Sequence, residues 1–157
     1  MIDGFALVIL CFFVSGCVGG PATRVGYLTT DDQRLVLEQV DGHRYQLVGP
    51  QLVDELRTVP GARVEVAGLG NGPRYRVGGY RILDIGNGEQ PYVGFVVVDQ
   101  AGTRIRDEAL GRDFFLDGIP TASVRDLHGA KIWITGLLVG ADLLHVREFG
   151  IIRPPTE

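Results

Sequence analysis

The chain is short of most residue types that announce chemistry. Its 157 residues include two cysteines, Cys11 and Cys17, a single tryptophan, Trp133, and one lysine, Lys131, so that 14 of the 15 basic residues are arginine. No excess of base exists to suit a nucleic acid: Lys and Arg number 15 against 19 Asp and Glu, a net charge of -4, where nucleic-acid binders usually carry a basic surplus. The arginines are spread along the chain and form no polybasic run for a membrane surface. No apolar run approaches the roughly 20 residues that a membrane-spanning helix needs. GxSxG is absent, and His43, His128 and His145 show neither HxH nor HxxxH spacing, which leaves nucleophilic catalysis and a histidine zinc site without candidates. The acidic pairs Asp31-Asp32 and Asp107-Glu108 lack the regular oxygen-ligand spacing of a calcium loop and read as solvated loop charge. No cofactor, metal or catalytic residue is expected, and the expectation is of a protein that is not an enzyme.

What is present begins at the amino terminus. Phe5 to Val14 reads FALVILCFFV, ten apolar residues, the length of a signal-peptide core rather than of a span. Val14-Ser15-Gly16-Cys17 follows and resembles the lipobox of bacterial lipoproteins: an aliphatic residue, two small residues and a cysteine. The resemblance implies transfer of a diacylglyceryl group to the Cys17 thiol and cleavage between Gly16 and Cys17. Residues 1–16 would then be a signal peptide, and residues 17–22, short and flexible, a tether. Acyl chains anchor by burial of about 0.8 kcal/mol per CH₂. The leading MIDG carries Asp3 and no base, unlike the positive start of most signal peptides. Cleavage would remove Cys11 and Asp3, leaving 15 bases against 18 acids, and no second thiol for an internal disulfide or a Cys-based metal site. Val18 stands where lipoproteins retained in the inner membrane of enteric bacteria carry Asp, so the resemblance favours the outer membrane. The other reading of the segment is a buried strand or helix with an incidental core cysteine.

The body is written twice. RYQLVGP (from Arg44) matches DFFLDGIP (from Asp113), GARVEVAGL (from Gly61) matches GAKIWITGL (from Gly129), and VGGYRIL (from Val77) matches VREFGII (from Val146). The pairs Gly26/Gly94, Leu47/Leu116, Gly49/Gly118, Gly61/Gly129, Val64/Ile132, Gly68/Gly136 and Tyr80/Phe149 keep an offset of 68 or 69 positions. Two units follow, residues 23–85 and 92–153, joined by a linker at 86–91. In the first, YLTT and RLVLEQ read as strands, Asp41-Gly42 as a hairpin turn, and RYQLV as a third strand. Pro50 opens a short helix with Leu52, Val53 and Leu56 at helical spacing. ARVEVAGL then alternates at period two, and RYRVGGYRIL closes the unit. Three strands, a helix and two strands resemble the OB-fold, a five-stranded barrel with a helix between its third and fourth strands. The fold class expected is therefore all-β with short helices, as two tandem OB-fold-like five-stranded barrels. The alternative is one pseudo-symmetric β-barrel or sandwich made of two halves.

Three residues stand out as candidate ligand or interface contacts. The alternation in KIWITGL sends Ile132 and Ile134 inward and Trp133 outward, where the first unit has Glu65. Trp133 is either a stacking platform for a base, sugar or partner side chain or a side chain buried between the two units. In GLGNGPRYRVGG a strand follows the glycines, so the segment reads as a mobile hairpin and not as a phosphate loop. The OB-fold resemblance places Arg74 and Tyr75 beside a ligand there. The function expected is a membrane-anchored, noncatalytic binding or scaffold lipoprotein of the cell envelope with a protein or glycan partner. Oligosaccharide or oligonucleotide binding on the barrel faces is the alternative.

Overall fold

The computed structural model describes residues 22–70, 72–118 and 120–156. The expected signal peptide (residues 1–16) and Cys17 lie outside them. The first half runs β1 (Ala22–Asp31), β2 (Arg34–Glu38), β3 (Arg44–Val48), α1 (Pro50–Arg57), β4 (Arg63–Leu69) and β5 (Arg74–Asp84). The second repeats it as β6 (Tyr92–Asp99), β7 (Gly102–Asp107), β8 (Arg112–Asp117), α2 (Thr121–Arg125), β9 (Lys131–Val139) and β10 (Leu143–Arg153). The chain is thus mostly β, with two short helices among the described residues.

Local chemistry sets these elements. Asp32 and Gln33 both take positive φ, 46° and 65°, the left-handed pair that turns β1 into β2 with the twist a two-residue hairpin needs. Between β2 and β3, Gly42 has φ 86°, and the Asp41 carboxylate accepts the His43 N–H at 3.1 Å. Pro50 occupies the first turn of α1, where its missing N–H costs nothing. The helix buries Val53 and Leu56 under the first sheet.

Each half forms one five-stranded sheet. In the first, β1 pairs with β2, β2 with β3, β3 with β5, β5 with β4, and β4 with β1 again; only β3–β5 is parallel. The second follows the same order, β6-β7-β8-β10-β9 and back to β6, with β8–β10 parallel. Among the described residues no strand of one half pairs with a strand of the other, so the described strands form two five-stranded sheets. Alternation supplies the cores: Val64 and Val66 of β4, and Ile132 and Ile134 of β9, are fully buried, as their spacing predicts.

The repeated glycines have two physical causes. A Cβ on Gly26 would lie 2.5 Å from the Glu38 carbonyl oxygen, and one on Gly94 would lie 1.9 Å from that of Arg106. These are points where the neighbouring strand's backbone leaves no room for a side chain. Gly49 and Gly118, ahead of the two helices, have φ 133° and 105°, which other residues rarely adopt.

Each half has its own apolar cluster, and the first is not closed by its own residues alone. Ile152 of β10 is buried within it, and Val93 and Trp133 pack against it. The outward face of β6, β9 and β10 is therefore the face that meets the first half.

Candidate functional site

At that junction the second half presents two cations side by side. Lys131 opens β9, Arg153 closes β10, and the two are cross-strand partners, an arrangement that repels when left alone. The matching pair in the first half is Arg63 and Asp84, of opposite charge. What resolves the repulsion comes from α1. Glu55, only 4% exposed, accepts from Lys131 Nζ at 3.0 Å through Oε2 and from Arg153 Nη1 at 3.2 Å through Oε1. The Tyr80 hydroxyl donates to the same Oε2 at 2.7 Å. Lys131 Nζ also lies 2.8 Å from Glu108 Oε2, on the connection between β7 and β8.

Two carboxylates and two cations thus balance, Glu55 and Lys131 buried and Arg153 and Glu108 partly open to solvent. Burial, and next the hydrogen bond to Glu55, raise the Tyr80 phenol well above its ordinary range, so Tyr80 serves as a standing donor rather than a proton shuttle near neutrality. The Tyr80 ring sits 5.0 Å from the Lys131 ammonium, and Arg153 lies 5.3 Å over the ring of Phe95. The cluster is suited to hold two units in one orientation, because every charged member is occupied by another. Tyr80 and Glu108 also form part of the wall of an open groove of about 600 Å³, completed by Ile82, Pro91, Tyr92 and Leu110 among others. That volume falls within the usual range of small-molecule sites, and unit junctions are a common place for them.

Trp133 is half-buried and packs on the first half's core cluster. Its indole covers Gly150, its cross-strand partner: a Cβ there would meet Nε1 at 2.5 Å and Cε2 at 2.6 Å. The equivalent partners in the first half, Glu65 and Arg81, form an exposed ion pair at 3.3 Å. The tryptophan therefore packs at the junction of the two halves, half-buried.

Tyr75 requires correction. It is fully buried, with its hydroxyl donating to the Ala22 carbonyl oxygen, because it faces inward from the second residue of β5. Tyr45 meets it edge-on at 6.3 Å, and Arg24 stacks over Tyr45 at 4.0 Å. Tyr75 is a core residue and not a loop contact. Arg74, one position earlier, is exposed and borders a smaller groove of about 340 Å³ with Asp31, Asp32, Arg34 and Arg44. The histidines are dispersed: His43 is in the β2–β3 turn, His128 accepts the Val98 N–H at 3.0 Å, and His145 lies 3.7 Å from Asp117.

Sequence reading assigns Glu55, Tyr80, Lys131 and Arg153 no site role and Asp107-Glu108 only that of solvated loop charge, whereas Asp107 is buried and Glu108 pairs with Lys131, although a signal existed. At Asp84/Arg153, Glu65/Trp133 and Arg81/Gly150 the two copies differ in charge or size, and the second-half members cluster where the copies meet. Comparison of the chain with protein-family models, with curated proteins and with solved structures finds no match.

Proposed function

We propose that this protein is a lipid-anchored, noncatalytic binding or scaffold protein of the bacterial cell envelope, two OB-fold-like barrels held at the membrane, with the outer membrane favoured, through Cys17. The carrying observation is the junction itself. Its ionisable groups are consumed in joining the halves, and beside them an open groove of about 600 Å³ is lined by Tyr80, Pro91 and Tyr92. A rigid body with an aromatic-walled groove suits recognition of a protein or glycan segment better than turnover. The ring order of each sheet, with a helix between its third and fourth strands, supports the OB-like reading. The lipobox Val14-Ser15-Gly16-Cys17 and the short lead to Ala22 support the anchor. Metabolic labelling with a palmitate analogue tests it: wild type incorporates the label and Cys17→Ala does not, whereas equal labelling of both chains overturns the assignment of Cys17.

A second reading has its own observation. Arg34, Arg44 and Arg74 border the smaller groove on the β2–β3 face, which is where OB-folds receive oligosaccharides or oligonucleotides. Calorimetric titration with anionic oligosaccharides and with single-stranded oligonucleotides separates this reading from the first, since only this one expects saturable heat that Arg34→Ala abolishes.

A further inference from the structure

The point at which the described chain begins is held in place. Ala22 pairs with Gly68 of β4, and its carbonyl oxygen accepts the Tyr75 hydroxyl. Both partners stand next to the β4–β5 connection. Cys17 lies five residues upstream, and an extended chain covers about 3.5 Å per residue, so Ala22 sits within roughly 17 Å of that cysteine. If Cys17 carries lipid, as proposed above, the β4–β5 end of the first half is the end held at the bilayer.

The outer face of that end fits such a place. Leu69 and Arg76 are cross-strand partners, so their side chains stand together. Leu69 is 52% exposed, and Arg76 is exposed beside it. Arg74 shares the face by strand alternation. Among the described residues no carboxylate pairs with Arg74 or Arg76, whereas Arg44, Arg57, Arg81, Arg106 and Arg147 each reach one. Arg34 is likewise without an ion-pair partner across the groove from Arg74, and Asp32 is the one acid there not matched to a base. Exposed guanidiniums next to an exposed leucine combine phosphate donors with an apolar probe of interfacial depth. Their field acts over about 8 Å at physiological salt, within reach of the tether.

We propose that this face, Leu69 with Arg74 and Arg76, is the surface on which the anchored protein lies against anionic phospholipid, the guanidiniums bonding headgroup phosphates and Leu69 entering the interface. The inference rests on the lipid-anchor reading and adds an orientation to it, with the second half and the junction groove placed away from the tether end.

The test uses protein purified from membranes and reconstituted into vesicles of phosphatidylglycerol and phosphatidylcholine that carry a quencher-labelled lipid. A fluorophore is attached through Leu69→Cys and, in a separate chain, through Val40→Cys. Val40 is 89% exposed, in the β2–β3 turn. Glu38 pairs with Tyr27 and Tyr27 with Arg63, so Val40 is near the far end of β4, five residues of β1 or about 16 Å from Ala22. Several-fold stronger quenching is expected at position 69 than at position 40, falling to the position-40 level in Arg74→Glu/Arg76→Glu and in vesicles of phosphatidylcholine alone. Equal quenching at the two positions in protein that floats with the vesicles overturns this face and leaves the anchor standing. Protein that does not float overturns the anchor, and the orientation with it. Loss of quenching at position 69 when an oligosaccharide is added would assign the face to glycan instead.

Discussion

Glu55 and Lys131 meet at 3.0 Å across the junction, 76 residues apart in sequence and contributed by different halves of a duplicated chain. Each also has a partner within its own half, Glu108 for Lys131 and Tyr80 for Glu55, but neither set of charges balances without the other half. Lys131 faces Arg153 across the β9–β10 ladder, and Glu55 is an acid on the buried side of a helix whose neighbours are apolar. Each half carries a charge defect that the other repairs.

Removing one member should therefore be costly. Breaking a buried ion pair leaves the survivor unpaired and typically costs about 3–5 kcal/mol. Glu55→Gln is expected near the lower bound, because the amide oxygen still accepts one bond. Urea denaturation of Glu55→Gln, Lys131→Met and the double variant should show the double costing less than the sum of the singles, by about 1–3 kcal/mol. Strict additivity would mean that the pair does not couple the halves.

Tyr80 makes a pH prediction. Its phenol is raised in the folded protein by burial and by the bond to Glu55, while in the unfolded chain it titrates near 10. A raised folded pKa gives stability that is fully present below the unfolded pKa and is lost as pH climbs above it. Stability should fall above pH ~10 by at most about 1.4 kcal/mol per pH unit from this group, a ceiling that solvent reaching a half-buried ring lowers. Tyr80→Phe should remove that component of the alkaline slope. At neutral pH it should cost about 1–3 kcal/mol, the worth of a hydrogen bond to a charged acceptor. Phe149 already holds the matching place in the other half without a hydroxyl.

Gly150 and Gly79 should respond differently to alanine. A Cβ at Gly150 meets the indole of Trp133 at 2.5 to 2.7 Å, while one at Gly79 meets nothing within 4 Å. Gly150→Ala should shift the emission of the only tryptophan and destabilise by about 1–3 kcal/mol. Gly79→Ala should leave the emission unchanged and alter stability by less than about 1 kcal/mol. Like behaviour of the two variants would mean that the indole does not rest on Gly150.

These contacts also show what the sequence could and could not reveal. The fixed spacing of Gly26/Gly94 and Gly49/Gly118 is legible because each requirement is local to its unit: a neighbouring backbone in one case, a positive φ in the other. Alternation in ARVEVAGL and GAKIWITGL likewise fixes which residues face each core. Alternation places Trp133 on the outer face, yet says nothing of what covers that face, because the partner surface is non-local. Tyr75 shows the reverse error. Reading it as part of a glycine-rich hairpin overlooks that β5 begins at Arg74, so that the next side chain already points into the core.

The proposed lipid anchor at Cys17 would set where the two halves sit and give the β4–β5 face its meaning. Membrane fractionation of wild type against Cys17→Ala is the direct measurement: wild type should sediment with membranes and partition into detergent, and Cys17→Ala should lose the acyl-dependent detergent partitioning. Equal distribution of the two chains would contradict it.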